Sequence, residues 1–262
     1  MRLSVAKRSE RGGRERNEDA VGFCANETLG CFVLADGTGG HKGGDVASDF
    51  VVRQVLTHFP TTPEGDTETI ATLIDVARDA LLETREHHPQ YPEMNTTIVM
   101  LILDLEQERA YWGHLGDSRI YLFRSGRARV LTTDHSVLQS LMDAGFFTGS
   151  LRGNIKRNML YAAVGSEEMP EQVVCEEPAV VCSGDVFLLC SDGFWEALSE
   201  DTMEELLQQA RTPDEWLESL VNAVPEPNAP SQDNFSALAI WLGEHEEVTT
   251  RIEAPRKPGA DT

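Results

Sequence analysis

The chain has 262 residues, 40% of them hydrophobic and 25% charged, which is ordinary for a globular protein and unlike a disordered or fibrous one. Its 44 Asp and Glu against 22 Lys and Arg give a formal charge of -22, so nucleic acid and anionic membrane would be repelled over most of the surface and are excluded as expected partners. Any anionic substrate needs positive charge supplied locally, by bound cations or a placed arginine. No stretch approaches the roughly 18 apolar residues of a membrane span, and the start MRLSVAKRSERGGRERNED lacks the hydrophobic core of a signal peptide, so a cytoplasmic address is expected. The five cysteines, Cys24, Cys31, Cys175, Cys182 and Cys190, form no CxxC pair. They predict buried, reduced thiols rather than a disulfide framework or a zinc site.

In chain order, AVGFC, a turn over 25–30 and CFVLAD predict a hairpin that runs into a glycine-rich loop. Apolar residues at helical spacing predict helices over 46–59 and 68–87, the second with Ile70, Leu73, Ile74, Ala77 and Leu81 on one side. TTIVMLILDL, RAYWGHLG, SRIYLF and RARVL, broken by EQE, GD and RSG, predict an antiparallel meander of about four strands. A helix over 137–144, an irregular piece over 145–159, and strands over 173–181 and 185–190 follow. Helices over 201–210 and 214–224 and a last strand, FSALAIWL, complete the order. Strand and helix do not alternate strictly, so an α+β layered architecture is expected rather than a doubly wound parallel sheet. The segment 244–262, EHEEVTTRIEAPRKPGADT, carries charge and proline without periodicity and reads as a mobile tail.

The glycine-rich loop DGTGGHKGG fails as a nucleotide fingerprint. Gly37 and Gly39 demand a third glycine where Lys42 stands, and no GxxxxGK[ST] frame fits. EF-hand and HExxH patterns are absent. What remains is a set of carboxylates at expected strand ends: Glu18 and Asp19, Asp36, Asp117 in GDSR, Asp192 in SDG and Asp233 in DN. Aspartate beside glycine, serine or asparagine is also an ordinary hairpin corner. The lead-ins CFVLAD and FLLCSD, however, put aspartates at the ends of strands that should be buried. Gathered negative charge there is costly unless hard cations such as Mg²⁺ or Mn²⁺, which prefer oxygen ligands, offset it.

Seven segments in order, RERNED at 14–19, LADGTGGHKGGDVAS at 34–48, NTT at 95–97, GHLGDSRIYLFRSG at 113–126, TTDHS at 132–136, LLCSDGFWEAL at 188–198 and DNFSALAI at 233–240, make the chain resemble the type-2C (PPM) metal-dependent protein phosphatases, in particular their compact bacterial branch. The resemblance implies an α-β-β-α sandwich of two antiparallel sheets flanked by helix pairs over 1–243, with a flap over about 136–164. It implies Mn²⁺- or Mg²⁺-dependent hydrolysis of phosphoserine and phosphothreonine on proteins, opposing a cognate bacterial Ser/Thr kinase, by a monomeric signalling enzyme. Asp19 and Asp36 would bind a pair of ions, with Asp36 bridging, the Gly37 carbonyl adding a ligand, and Asp192 and Asp233 completing the second ion. Asp117 with Asp192 would hold a third, weaker ion, and Glu18 would act through a water. Arg14 matches the phosphate clamp; its planar fork suits two phosphate oxygens.

Two departures stand out. Thr38 occupies the position where eukaryotic members carry a histidine proposed as general acid, with His41, nearby, expected to be structural, and Asn95 replaces the glycine common before the TT pair. In the flap, RGNIKRN is basic in an acidic protein, so Arg152, Lys156 and Arg157 are expected either to receive phosphorylated loops or simply to be solvated. Two rival functions remain at this level. An inactive relative that only binds phosphoproteins should have lost carboxylates, and all six are acidic here. A phosphatase of small metabolites should show a deep closed pocket, whereas protein substrates call for an open cleft.

Overall fold

The computed structural model describes residues 1–38, 43–61, 64–87, 89–92, 94–146, 159–166 and 173–243. Its strands are β1 (Leu3–Glu10), β2 (Asp19–Ala25), β3 (Leu29–Thr38), β4 (Asn95–Thr96), β5 (Ile98–Asp104), β6 (Arg109–Leu115), β7 (Arg119–Arg124), β8 (Arg127–Val130), β9 (Ala179–Val180), β10 (Val186–Cys190) and β11 (Phe235–Leu242). Its helices are α1 (Gly44–His58), α2 (Thr67–His87), α3 (Val137–Asp143), α4 (Asp192–Trp195), α5 (Glu200–Gln209) and α6 (Pro213–Ala223). One sheet has the order β1-β11-β10-β7-β8 and the other β2-β3-β5-β6-β9, with β4 pairing β3; all these pairings are antiparallel.

The two-residue period of the strands builds the layers. In β3, Cys31, Val33 and Ala35 pack on α1 and α2, whereas Phe32 and Leu34 face the other sheet. Likewise β11 turns Phe235, Ala237, Ala239 and Trp241 toward α5 and α6 and turns Leu238, Ile240 and Leu242 inward. Every residue of β5, β10 and β11 is buried, because both faces of these strands are covered. The result is the expected four-layered α-β-β-α sandwich with three apolar interfaces.

Local signals fix the helices at the outside. Ser199 and Thr212 cap α5 and α6, their hydroxyls accepting from the backbone N–H of Thr202 (3.2 Å) and Glu215 (3.1 Å), and Pro213 opens α6. The free edge at β8 is blunted by a buried carboxylate of α5: Glu204 accepts from the Ala128 N–H at 2.8 Å and from Arg127 at 2.9 Å.

Three sequence expectations need correction. The first strand, β1, was not foreseen, because LSVAKRSE interleaves apolar residues with charges; it forms by adding itself to β11 along eight register pairs. The strand expected over 173–181 contracts to Ala179–Val180 and one bridge between Gly113 and Val174, since only those parts reach the edge of β6. Helix α4, Asp192–Trp195, lies in the stretch between the strand over 185–190 and the helix over 201–210, for which no element is expected. The tail expected over 244–262 lies outside the described residues, as does much of the irregular piece expected at 145–159. Among the described residues no helix is long and apolar enough to cross a membrane.

Trp216 of α6 anchors the outer layer: it is fully buried, stands edge-on to Phe123 at 5.1 Å, and donates its indole N–H to the Met203 carbonyl at 3.2 Å. Trp216→Ala is expected to lower unfolding free energy by about 3–5 kcal/mol in urea titration, and Trp216→Phe by less, since it keeps most of the packing and loses the N–H.

Candidate metal centre

Strand register brings the acidic residues together. Asp19 opens β2 and is the register partner of Asp36, near the end of β3. In the other sheet, the end of β10 lies beside the starts of β7 and β11 through the pairs Cys190 with Arg119 and Cys190 with Ala237. Asp192, Asp117 and Asp233 occupy the segments just beyond those strand ends. Five carboxylates separated by up to 214 residues in sequence (233 − 19) therefore meet at one end of the sandwich.

Their electrostatics show the crowding. Asp36 is held well above the usual carboxylate range, first by burial and then by Asp19, Asp192, Asp117 and Asp233. Asp192 is raised in the same way, by burial and then Asp117, Asp233 and Asp19. Asp19 is pushed up to about 6 by burial, against hydrogen bonds from Ser236 and Ser191 that pull it down. Asp117 is pushed up to about 7 by burial and then by Asp134. Glu18 is raised by burial and then by Asp45. Each charge makes its neighbours harder to ionise.

Neutral hydrogen bonds hold this arrangement. The Asp36 backbone is gripped by the threonine pair: its N–H donates to Thr97 Oγ1 (3.0 Å), while the Thr97 N–H (2.7 Å) and Thr96 Oγ1 (2.8 Å) donate to its carbonyl. Thr97 Oγ1 also lies 2.8 Å from Ser118 Oγ, next to Asp117. Asn234 accepts from the Glu18 N–H at 2.8 Å and donates to the Arg11 and Arg16 carbonyls at 2.7 and 2.9 Å, tying the loop before β2 to β11. Ser191 Oγ donates to Asp19 Oδ2 at 2.8 Å, and Trp195 Nε1 donates to the Asp117 carbonyl at 2.9 Å. A Cβ on Gly37 would stand 2.4 Å from the Gly44 backbone, so glycine alone lets β3 pass this close to the start of α1. Above the same point sits Glu18, whose Oε2 would be 3.0 Å from a Gly44 Cβ.

Thr97, Ser191, Trp195 and Asn234 were missed as functional positions in the sequence, although each lies inside a segment that carried the resemblance. Their roles are contacts across the fold, which no spacing reveals. Arg14, read as a phosphate clamp, donates from Nη2 to Asp233 Oδ2 at 2.6 Å, with the arginine side chain 50% exposed. Thr38 ends β3 opposite Asn95; the Asn95 amide, oriented so that its nitrogen faces acceptors, donates to the Met94 (3.0 Å) and Gly165 (3.2 Å) carbonyls. His41, Arg152, Lys156 and Arg157 lie outside the described residues.

The donor set suits a hard divalent cation: carboxylate oxygens and a backbone carbonyl, with no thiol among them. Asp19 Oδ1 is buried without any hydrogen-bond partner, an orphaned anionic oxygen of the kind a cation satisfies. Among the described residues, no three His, Cys, Asp or Glu side chains are already drawn together tightly enough to hold an ion. Asp233 is turned to Arg14 and to the Asn234 N–H, and Asp19 Oδ2 to Ser191. A separate cavity of about 530 Å³, lined by Trp112, His114, His135, Tyr161 and Cys175 among others, includes none of these carboxylates. Burial keeps its two stacked imidazoles, 4.5 Å apart, below the usual histidine range.

Comparison with known proteins agrees with this picture. The chain is 31% identical over 242 residues to serine/threonine phosphatase stp of Listeria monocytogenes, covering 89% of this chain and 93% of that one. It is 32% identical over 209 residues to serine/threonine protein phosphatase PstP of Mycobacterium tuberculosis, covering 79% of this chain but only 39% of PstP. A crystal structure of Mycobacterium tuberculosis PstP superposes with a TM-score of 0.78 at 31% identity, covering 92% of this chain and 99% of that one. A further structure, of the PstP catalytic domain in complex with two manganese ions, superposes at 0.76 with 30% identity, covering 92% and 99%. The family model described as protein phosphatase 2C matches residues 8–223, and a match over that span means that the chain belongs to the protein phosphatase 2C family.

Proposed function

We propose that this protein hydrolyses phosphoserine and phosphothreonine on proteins, with Mn²⁺ or Mg²⁺ bound at the end of the sandwich. The observation that carries the reading is the mutual destabilisation of Asp19, Asp36, Asp117 and Asp192, with Asp19 Oδ1 left unpaired. Asp19, Asp36 and the Gly37 carbonyl, with Asp192 and Asp233, would hold two core ions; Asp117 and Asp192 would hold a third, weaker one, and Glu18 would act at the rim through water. When bound, the cations neutralise the carboxylates, polarise the phosphoryl group and acidify a water for in-line attack at phosphorus.

The chain's own groups provide position and charge. Arg14 exchanges its Asp233 partner for two phosphate oxygens as substrate arrives, giving local attraction that the overall charge denies. Thr97, Ser191 and Asn234 fix the backbone from which the ligands project. Thr38 supplies only a hydroxyl, a poor acid at neutral pH, so the residue protonating the leaving oxygen does not come from this position. The retained carboxylates favour turnover over a purely binding role, and their place at the strand ends, outside the cavity lined by Trp112 and His114, favours protein substrates over small metabolites. The catalytic unit is residues 1–243, acting as a cytoplasmic monomer against a Ser/Thr kinase. Arg152, Lys156 and Arg157 of the flap receive the phosphorylated segment.

The direct test is hydrolysis of a phosphothreonine peptide and an aryl phosphate with Mn²⁺ or Mg²⁺ and with chelator. Activity should appear with metal and vanish with chelator; folded, metal-supplemented protein that turns over neither compound overturns the reading. Asp192→Ala is expected to reduce kcat by roughly 10³-fold, the scale on which charge-stabilising groups act. Arg14→Ala should raise KM about tenfold or more for lack of a charge-assisted bond, and Arg14→Lys should restore only part of it.

The ions compete with protons. Asp19 at about 6 and Asp117 at about 7 lie above ordinary carboxylates, so both must be deprotonated before a cation is held. Asp36 and Asp192 are raised as well, so the rise in melting temperature on adding Mn²⁺ is expected to grow with pH and to shrink as pH falls through 7 and then 6. A pH-independent rise between pH 5 and 8 would count against these ligands.

A further inference from the structure

Helix α4 carries two residues that reach the acidic end, Asp192 at its start and Trp195 at its finish. The Trp195 indole N–H donates to the Asp117 carbonyl at 2.9 Å. On the same indole lies the Arg119 guanidinium, 3.5 Å from the ring centroid, so one side chain grips the Asp117 turn at two points. Arg119 in turn is locked. It forks onto Asp134 through Nε at 2.9 Å and Nη2 at 2.7 Å, and its Nη1 donates to the Tyr121 hydroxyl at 3.3 Å.

This fork has an electrostatic consequence. Arg119 stands only two residues from Asp117, yet its hydrogen bonds go to Asp134. Arg119 therefore acts on Asp117 only through space, and its hydrogen bonds leave the Asp117 carboxylate oxygens for another charge. The indole bond uses a backbone carbonyl, so it too leaves those oxygens untouched. Asp117 and Asp192 repel one another, and a neutral bond from the helix of one to the backbone of the other opposes their separation without consuming a ligand atom.

We propose that Trp195, backed by Arg119 and Asp134, is a positioning residue that holds Asp117 beside Asp192 and so sets the affinity for the third, weaker ion. The inference rests on the reading of Asp117 and Asp192 as that ion's ligands, and the experiment separates the two. Mn²⁺ binding is measured calorimetrically on the metal-stripped protein, resolving tight and weak classes, for wild type, Trp195→Phe, Asp117→Asn and the double variant.

Trp195→Phe keeps an aromatic ring for Arg119 and deletes the N–H. It should weaken the weak class by about five- to tenfold, the effect of one hydrogen bond, and leave the tight class unchanged. Asp117→Asn should remove the weak class, and adding Trp195→Phe to it should change nothing more. Trp195 emission, taken as wild type minus Trp195→Phe, should respond over the weak step and not the tight one. If Asp117→Asn abolishes the weak class while Trp195→Phe leaves it intact, or weakens both classes alike, the positioning role is overturned and the ligand reading stands. If Asp117→Asn leaves the weak class in place, the ligand reading fails and the proposal with it. Should Trp195→Phe not fold, Arg119→Lys carries the test: it must weaken the weak class selectively, and a normal weak class in that variant overturns the proposal.

Discussion

Repulsion among carboxylates shut away from water at one end of a β-sandwich is the constraint on which the rest of this structure depends. Burial alone disfavours each charge, and every neighbour adds to the penalty. Asp36, facing Asp19 across the strand pair and three other aspartates from elsewhere, is the most crowded. A protein that only had to fold would place such residues in solvent. Cations bound there, as proposed, would return more free energy than the repulsion removes.

The scaffold answers this strain with rigidity. Strands β5, β10 and β11 are buried on both faces, so a shift of register by one residue would exchange the intersheet and helix-facing layers. That fixes the strand ends, and the hydrogen bonds beyond them fix the turns. Thr96 and Thr97 hold the Asp36 backbone, Asn234 joins the loop before β2 to the start of β11, and Ser191 steadies Asp19. All are neutral groups acting largely on the backbone. They stiffen the site without neutralising it, which leaves the charge to the ligand.

The same balance governs the positive groups. A net charge of -22 repels phosphorylated partners, yet the arginines around the acidic end are mostly engaged: Arg14 with Asp233, Arg16 with Asp45, Arg119 with Asp134. The Arg14 and Arg16 pairs are exposed, where an ion pair is weak and easily exchanged. Arg119 is half-buried, bidentate and stacked on Trp195, so it acts as part of the framework. Exchangeable charge therefore lies at the rim and fixed charge beneath it.

Much of this was legible in the sequence. The apolar, β-forming runs CFVLAD and FSALAIWL and the helical spacing around Ile70 to Leu81 determined element type. Acidic residues closing apolar strands marked the candidate ligands, since that placement has a cost that ordinary turns avoid. Other features were decided only by the tertiary structure. LSVAKRSE became β1 through pairing with β11, most of 173–181 stayed unpaired for want of a neighbouring edge, and Arg14 found Asp233 across 219 residues. Trp195, Thr97 and Asn234 gained their roles in the same way. A periodic pattern encodes which face a residue presents, whereas a partner across the fold is set by how layers and strand ends come to rest against each other, and that is a property of the packed whole.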